Sequence, residues 1–242
     1  MRLRPNSTVA FRIGVFGIWE PEVTKIIRRR ITPSSVCVDV GANVGYYSLL
    51  MANAAPKGQI FAIEPSPEIL AELSENITLN GLTNVTVVPF GASDKEEVLS
   101  FDLLDNNRGS SRFTDTDGQV KIPLRALIDL IPADCHARVE IMKIDVEGME
   151  SRVLAHLVDH LALFPNLHSI LIELRIDDTV RRLLDRLGQA GFKAEVLANE
   201  YSSFFYADRK PRFPQEYTSL PDGMYDFALT RDLEAGSAHT QS

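Results

Sequence analysis

Val38-Asp39-Val40-Gly41-Ala42-Asn43-Val44-Gly45 is the stretch from which the fold is read. An apolar run, Ser35–Val40, stops at an acid and two spaced glycines, and a helical pattern, Gly45–Ala54, follows. This is the sequence of a strand–turn–helix unit with a ligand at the strand end. Three nucleotide-type readings compete for it. A dinucleotide fingerprint needs glycines at relative positions one, three and six, and here those positions hold Gly41, Asn43 and Tyr46. Asn43 obstructs the close approach of a pyrophosphate, so NAD and FAD are disfavoured. A phosphate-binding P-loop needs Gly-Lys-Ser/Thr, whereas Gly45 is followed by Tyr46-Tyr47. The third reading is S-adenosylmethionine, which carries a charged amino-acid end and no phosphate. Gly41 and Gly45 let the backbone pass close to that end. Asp39 accepts from its ammonium directly or through water, and the following helix start favours its carboxylate.

Working outward, Gln59–Glu64 and Val85–Val88 are the next apolar runs, separated by a helical stretch over Pro67–Asn80 that Gly81 ends. Glu64-Pro65 closes the second run. Glu64 stands 23 positions after Gly41, the interval at which an acid accepts both ribose hydroxyls. Adenine is expected near Phe90-Gly91-Ala92-Ser93, where Gly91 admits close approach; a plain turn explains those residues too. Val98–Leu103 and Gln119–Ile122 read as short extra strands and Leu124–Leu130 as a helix. Val139–Asp145 is the fourth strand, Glu150–Leu163 its helix, and Ser169–Leu174 the fifth strand. A helix over Thr179–Ala190 and strands at Phe192–Ala198 and Tyr225–Thr230 complete the pattern. Apolar strands alternating with helices predict an α/β fold, a doubly wound and mostly parallel sheet. Its ligands belong at the carboxyl ends of strands, where strand order reverses.

The fourth strand carries the candidate chemistry. Lys143 interrupts an otherwise apolar Ile141-Met142-Lys143-Ile144-Asp145. A lysine in a central strand needs a partner, and Asp145 shares its face. Asp39 and Glu173 are expected at the ends of neighbouring strands. Asp145 or Glu147 would orient or deprotonate an acceptor, with Lys143 holding the carboxylates; a structural ion pair bracing the sheet end is the other reading. Glu20 reaches the same site as a substrate contact, or else is only a helix-start acid before Pro21. Asp145, Glu147 and Glu173 lack a clear metal-ligand spacing, so no metal is expected. His156 and His160, four apart beside an apolar stripe, read as surface residues.

Composition sets the outer bounds. The chain has 242 residues, 45% hydrophobic and 24% charged, as an ordinary globular protein has. Residues 32–233 form the predicted domain, 1–31 an extension for substrate or dimer contact, and 234–242 a disordered tail. The extension is read as a hairpin followed by a helix from about Pro21. Residues 199–223, with Tyr201, Phe204, Phe205, Tyr206, Phe213 and Tyr217, are an aromatic minicore or a cap over substrate. A net charge of −8 argues against nucleic acid, and Arg28-Arg29-Arg30 complements a helix C-terminus. No apolar run approaches the roughly 20 residues of a membrane helix, and no signal peptide is read. Cys37 and Cys135 form neither a disulfide framework nor a zinc site, so a cytoplasmic location is expected.

With these motifs in view, the sequence resembles the FkbM family of methyltransferases. The resemblance lies in Val38–Tyr47, Ile63-Glu64-Pro65, Lys143-Ile144-Asp145-Val146-Glu147-Gly148-Met149-Glu150, Ile172-Glu173, and upstream Gly17-Ile18-Trp19-Glu20-Pro21. It spans roughly residues 15 to 195. It implies a Rossmann-like class I fold of seven strands with the last antiparallel, S-adenosylmethionine as cofactor, and O-methylation of a sugar, glycolipid or polyketide-like hydroxyl. Methylation of nitrogen is disfavoured, because no Asn/Asp-Pro-Pro-Tyr motif follows the fourth strand. A non-catalytic binding module is the rival from outside enzymes. A homodimer is possible.

Overall fold

A computed structural model of the chain describes residues 1–3, 8–102, 112–114, 120–146, 148–198, 215–217 and 220–233. Two helices, α1 (Thr8–Phe16) and α2 (Pro21–Arg30), precede strand β1 (Val36–Val40). Then come α3 (Tyr46–Ala54), β2 (Gln59–Ile63), α4 (Pro67–Leu79) and β3 (Val85–Val88). The strands β4 (Gly91–Ser93), β5 (Glu97–Asp102), β6 (Arg112–Thr114) and β7 (Val120–Ala126) follow. The second half holds β8 (Val139–Ile144), α5 (Glu150–Asp159), β9 (Ser169–Ile176), α6 (Asp178–Gln189), β10 (Lys193–Leu197), β11 (Gln215–Glu216) and β12 (Gly223–Thr230).

The main sheet runs in the order β11-β10-β12-β9-β8-β1-β2-β3. β12 is antiparallel to both its neighbours, β9 and β10, while β9, β8, β1, β2 and β3 pair in parallel. The expected seven-strand, mostly parallel core with its last strand antiparallel is therefore present, and the two-residue β11 adds an eighth strand at one edge. A second sheet, β4-β7-β5-β6, flanks it.

Alternation along the strands decides what meets what. Val36, Val38 and Val40 of β1 pack with Leu154, Leu157, Leu183 and Leu187 of α5 and α6. Cys37 faces the other way, against Val23 and Ile27 of α2 and Tyr47 and Met51 of α3. The same alternation puts Met142, Ile144, Ile172 and Phe227 on the α5/α6 face, and Ile141, Leu171 and Ala228 on the α2/α3 face. Asp39, Lys143, Glu173 and Asp226 thus all belong to the α2/α3 face.

Three sequence expectations are corrected. The N-terminal segment begins with a helix, not a hairpin: Gly17, at φ 73°, caps α1 by donating its N–H to Ile13 O at 2.9 Å. The segment 124–130 is not one helix. Leu124 and Ala126 point inward from β7, held between β4 and β5, and a 3-10 turn covers only Leu127–Leu130. The helix read as Glu150–Leu163 ends at Asp159, and a separate 3-10 turn covers Leu161–Leu163. Cys37 and Cys135 are both buried and free. Among the described residues no helix is long and apolar enough to cross a membrane.

Candidate active site

Strand order reverses between β1 and β8, which leave the sheet side by side with Asp39 opposite Lys143 and Val40 opposite Ile144. The turn after β1 is fastened to both neighbouring strands. Gly41 and Ala42 donate their N–H groups to Ile63 O, each at 2.9 Å, and Asp145 donates its N–H to Val40 O at 2.8 Å. Gly41 sits at φ 82°, and a Cβ there would lie 1.8 Å from Asp145 O. Only glycine fits. Asn43 follows at φ 50°, a left-handed position that Asn tolerates because its side chain bonds locally. Here its Oδ1 accepts from Val44 N–H at 2.8 Å. Gly45 then opens α3 without a side-chain cap, so its first backbone N–H groups face the turn. Among the described residues, this is where a helix start meets the strand-order reversal.

Glu64 closes the other side of the turn. One carboxylate oxygen accepts from Asn43 N–H and the other from Ser66 N–H, both at 2.9 Å. Burial pushes its carboxyl up to about 7, against the pull of those two N–H groups. A carboxylate has about four lone-pair sites, so two remain for further donors. A vicinal diol is a chemical match for that remainder. Pro65 lies beyond, and Gly91 is buried next to it; a Cβ on Gly91 would lie 2.1 Å from Leu124 Cδ2 and 3.6 Å from Pro65 Cβ. Ala92 is buried in the same wall, and the Arg125 guanidinium covers the neighbouring Phe90 ring at 3.9 Å.

A second group of residues is built around one cation. Lys143 is 3% exposed. Its Nζ lies 3.3 Å from Asp145 Oδ2, 4.0 Å from Glu20 Oε2 and 5.4 Å from the centre of the Tyr47 ring. Burial alone would lower its pKa; the charges of Asp145, Glu20, Asp226 and Asp39 reverse that and raise it, so it stays protonated. Asp39 is buried against α3, where Ser48 donates to its Oδ2 at 2.6 Å. Burial lifts it to about 6, with Ser48 and Lys143 pulling down and Asp145 pushing up. Glu173 is also raised, by burial and by the charges of Asp145 and Glu20. It stands directly across from Asp226 in the β9–β12 register. Asp145, just past the end of β8, has the most open side chain of the Lys143 pair, at 39%.

Glu20 arrives from outside the sheet. Pro21 starts α2, and the residue before it adopts the left-handed conformation, φ 39° and ψ 76°. Thr24 ties that turn down: its hydroxyl donates to Trp19 O at 2.8 Å and lies 3.2 Å from the Tyr46 hydroxyl. Glu20 is thereby buried, with Tyr47 donating its hydroxyl to Oε2 at 2.7 Å.

Two clusters result. Asp39, Gly41, Asn43, Gly45, Tyr46, Glu64, Pro65, Gly91 and Ala92 border the turn, while Asp145, Glu20 and Glu173 gather around Lys143. Glu147 lies outside the described residues, as do Tyr201, Phe204, Phe205, Tyr206 and Phe213. Tyr217, from the same aromatic region, is half-buried with its ring 5.8 Å from Phe227, which is minicore packing. Tyr47, Ser48 and Asp226 act directly on these residues and are not candidates in the sequence; strand alternation is a signal that could have found Asp226, and nothing local marks Tyr47. Among the described residues no group of His, Cys, Asp and Glu has metal-holding geometry. His156 and His160 are half-buried and stack on each other at 4.3 Å between ring centres.

The chain is similar to known proteins. The family described as methyltransferase FkbM domain matches residues 39–193. The hexuronic acid methyltransferase AglP of Haloferax volcanii is 23% identical over 179 residues, covering 73% of this chain and 71% of that protein. The 31-O-demethyl-FK506 methyltransferase FkbM of Streptomyces tacrolimicus is 25% identical over 194 residues, covering 67% and 74%. The crystal structure of methyltransferase FkbM from Methylobacillus flagellatus superposes with a TM-score of 0.53 at 18% identity, covering 94% of this chain and 48% of that one. That likeness bears on the fold. The chain belongs to the FkbM family of S-adenosylmethionine-dependent methyltransferases.

Proposed function

We propose that this chain methylates a hydroxyl oxygen of a sugar, glycolipid or natural product, and that Asp145 takes the proton. The carrying observation is Asp145 itself: a half-open carboxylate at the strand-order reversal, 3.3 Å from a buried lysine. S-adenosylmethionine supplies a methyl group on sulfur, already bound to a good leaving group. What remains for the protein is to orient the acceptor and remove its proton, because a neutral hydroxyl is a poor nucleophile. Lys143 keeps Asp145 in place, and Glu147, two positions further on in the sequence, is the second candidate. Glu20 and Glu173 line the acceptor side. The 31-O-demethyl and hexuronic acid wording of the two relatives fits oxygen-rich acceptors.

On the cofactor side, Asp39 places negative charge beneath the turn for the ammonium group. Gly41, Asn43, Gly45 and Tyr46 shape the seat of the methionine end, and Glu64 takes the ribose hydroxyls beside Pro65, Gly91 and Ala92. The two separate thiols fit a reducing cytoplasm. A panel of sugar and natural-product hydroxyls, run against amines with a labelled methyl donor, tests the reading. Label appearing on amines alone would overturn it.

The Glu64 role carries its own prediction. Its carboxyl titrates at about 7 in the free protein. Two hydroxyl donors favour the ionised form, so binding S-adenosylmethionine near neutral pH should release a proton. Protons compete with the ligand below that pH, and affinity should fall about tenfold per pH unit. Glu64→Gln should weaken binding roughly 10- to 100-fold and flatten that dependence. Calorimetry in buffers of different ionisation enthalpy reads the proton directly; no release at pH 7 would remove Glu64 from the ribose site.

A further inference from the structure

The Glu20 turn is the most constrained feature near the site that proton transfer to Asp145 does not use. A non-glycine residue in the left-handed region carries strain, and it persists only where surrounding contacts hold it. Here Pro21, Thr24 and Tyr46 hold it, and the result is a carboxylate from the N-terminal segment brought within 4.0 Å of the Lys143 ammonium. Tyr47 meets it there. Its hydroxyl bonds Glu20 Oε2, and its ring faces the Lys143 ammonium. Lys143 therefore meets two carboxylates, Asp145 at 3.3 Å and Glu20 at 4.0 Å.

We propose that Glu20 and Tyr47 are positioning residues of the methyl transfer: Tyr47 fixes the Glu20 carboxylate beside Lys143, and that carboxylate competes with Asp145 for the ammonium. This rests on the reading of the chain as a hydroxyl methyltransferase. An ammonium donating to Oδ2 offsets part of the negative charge that attracts the acceptor's proton. Shared with Glu20, it leaves more of that charge on the oxygen. The acceptor O–H bond then breaks, the proton passes to Asp145 Oδ2, and the electron pair stays on the acceptor oxygen.

The charge state of Glu20 decides how strong the pull is. Burial raises its carboxyl to about 7; Lys143 opposes this, Asp145 and Asp226 add to it, and the Tyr47 hydroxyl opposes it. Among the described residues, the groups that face it include Tyr47 from α3, Lys143 from β8, Asp145 beyond β8, Asp226 from β12 and, more remotely, Glu173 from β9. Below neutral pH Glu20 is protonated and Lys143 is left to Asp145. Above it Glu20 is charged and shares the ammonium. Turnover should accordingly rise with pH through about 7.

The test is the pH profile of kcat for wild type, Glu20→Gln and Tyr47→Phe, with S-adenosylmethionine affinity measured alongside. Glu20→Gln keeps the shape and removes the charge. It should lower turnover above neutral pH about tenfold or more and lose the rise through 7. Tyr47→Phe keeps the ring over Lys143 and removes one stabilising donor from the ionised Glu20, so the rise should move to higher pH. Profiles that run parallel to wild type at every pH overturn the proposal, whatever the absolute rates. A second measurement needs no acceptor: the infrared band of the protonated Glu20 carboxyl, taken as wild type minus Glu20→Gln, should titrate near 7 and shift upward in Tyr47→Phe. An unshifted band overturns the Tyr47 coupling on its own. Wild type that turns over amines but no hydroxyl defeats the functional reading instead, and is recognised by that product.

Discussion

Gly41→Ala should lower stability by about 2–5 kcal/mol and turnover by roughly 100-fold. Two costs add. An L-residue at φ 82° is strained by about 1–2 kcal/mol. Its Cβ would also fall 1.8 Å from Asp145 O and 2.8 Å from Asp145 C, and overpacking of that kind costs about 1–3 kcal/mol. The atoms in the way are backbone, so no rotamer change relieves the contact. The end of β8 must move, and Asp145 moves with it. Displacement of a reacting group by about an ångström is enough for the kinetic loss. Thermal unfolding should show a drop of roughly 5–15 °C. Gly45→Ala is the control: at φ 94° it carries a similar backbone strain, but its Cβ meets side chains alone, Leu73 Cδ1 at 2.6 Å and Leu49 Cγ at 3.9 Å. Gly41→Ala with a wild-type melting temperature and rate would mean that the turn yields, and that the cofactor seat and reaction centre are not packed together there.

That contact explains why some of the site was legible in the sequence and some was not. Asp39, Gly41 and Glu64 are fixed by local needs: a strand end, a tight turn, an acid at a set interval. Lys143 stood out because a charge in a buried strand breaks the apolar run. Each signal sits within one strand–turn–helix unit. Tyr47 carries no such signal, because its partner Glu20 is 27 residues away and reaches it through a left-handed turn. The N-terminal segment reads as a hairpin because Val9, Ile13 and Val15 favour strand, but such propensities are weak beside packing and caps. Gly17, its left-handed cap, was the contrary signal. In 120–126 the alternating inward residues Ile122, Leu124 and Ala126 already had a strand's period of two, obscured by the helix-like Leu127–Leu130 that follows.

Asp145→Asn should reduce kcat by about 10²- to 10⁴-fold while S-adenosylmethionine affinity changes little. The range is that of a lost proton acceptor. The amide keeps the size of the side chain and can still accept from Lys143, but it cannot take a proton. The backbone that Gly41 packs against is untouched, so the turn and the Glu64 bonds should survive. Loss in kcat without loss in cofactor binding separates a chemical role from an ion pair that only braces the sheet end. A bracing pair gives the opposite pattern: Lys143 would lose its nearest carboxylate, stability would fall, and the rate per folded molecule would hold. Raising the pH offers a further discrimination. A more acidic acceptor hydroxyl ionises without help, so the deficit of Asp145→Asn should shrink as pH rises and as acceptor pKa falls. An equal deficit across acceptors of different acidity would argue that Asp145 orients the acceptor and leaves its proton to another group. Unchanged turnover with intact cofactor binding would take Asp145 out of the mechanism altogether.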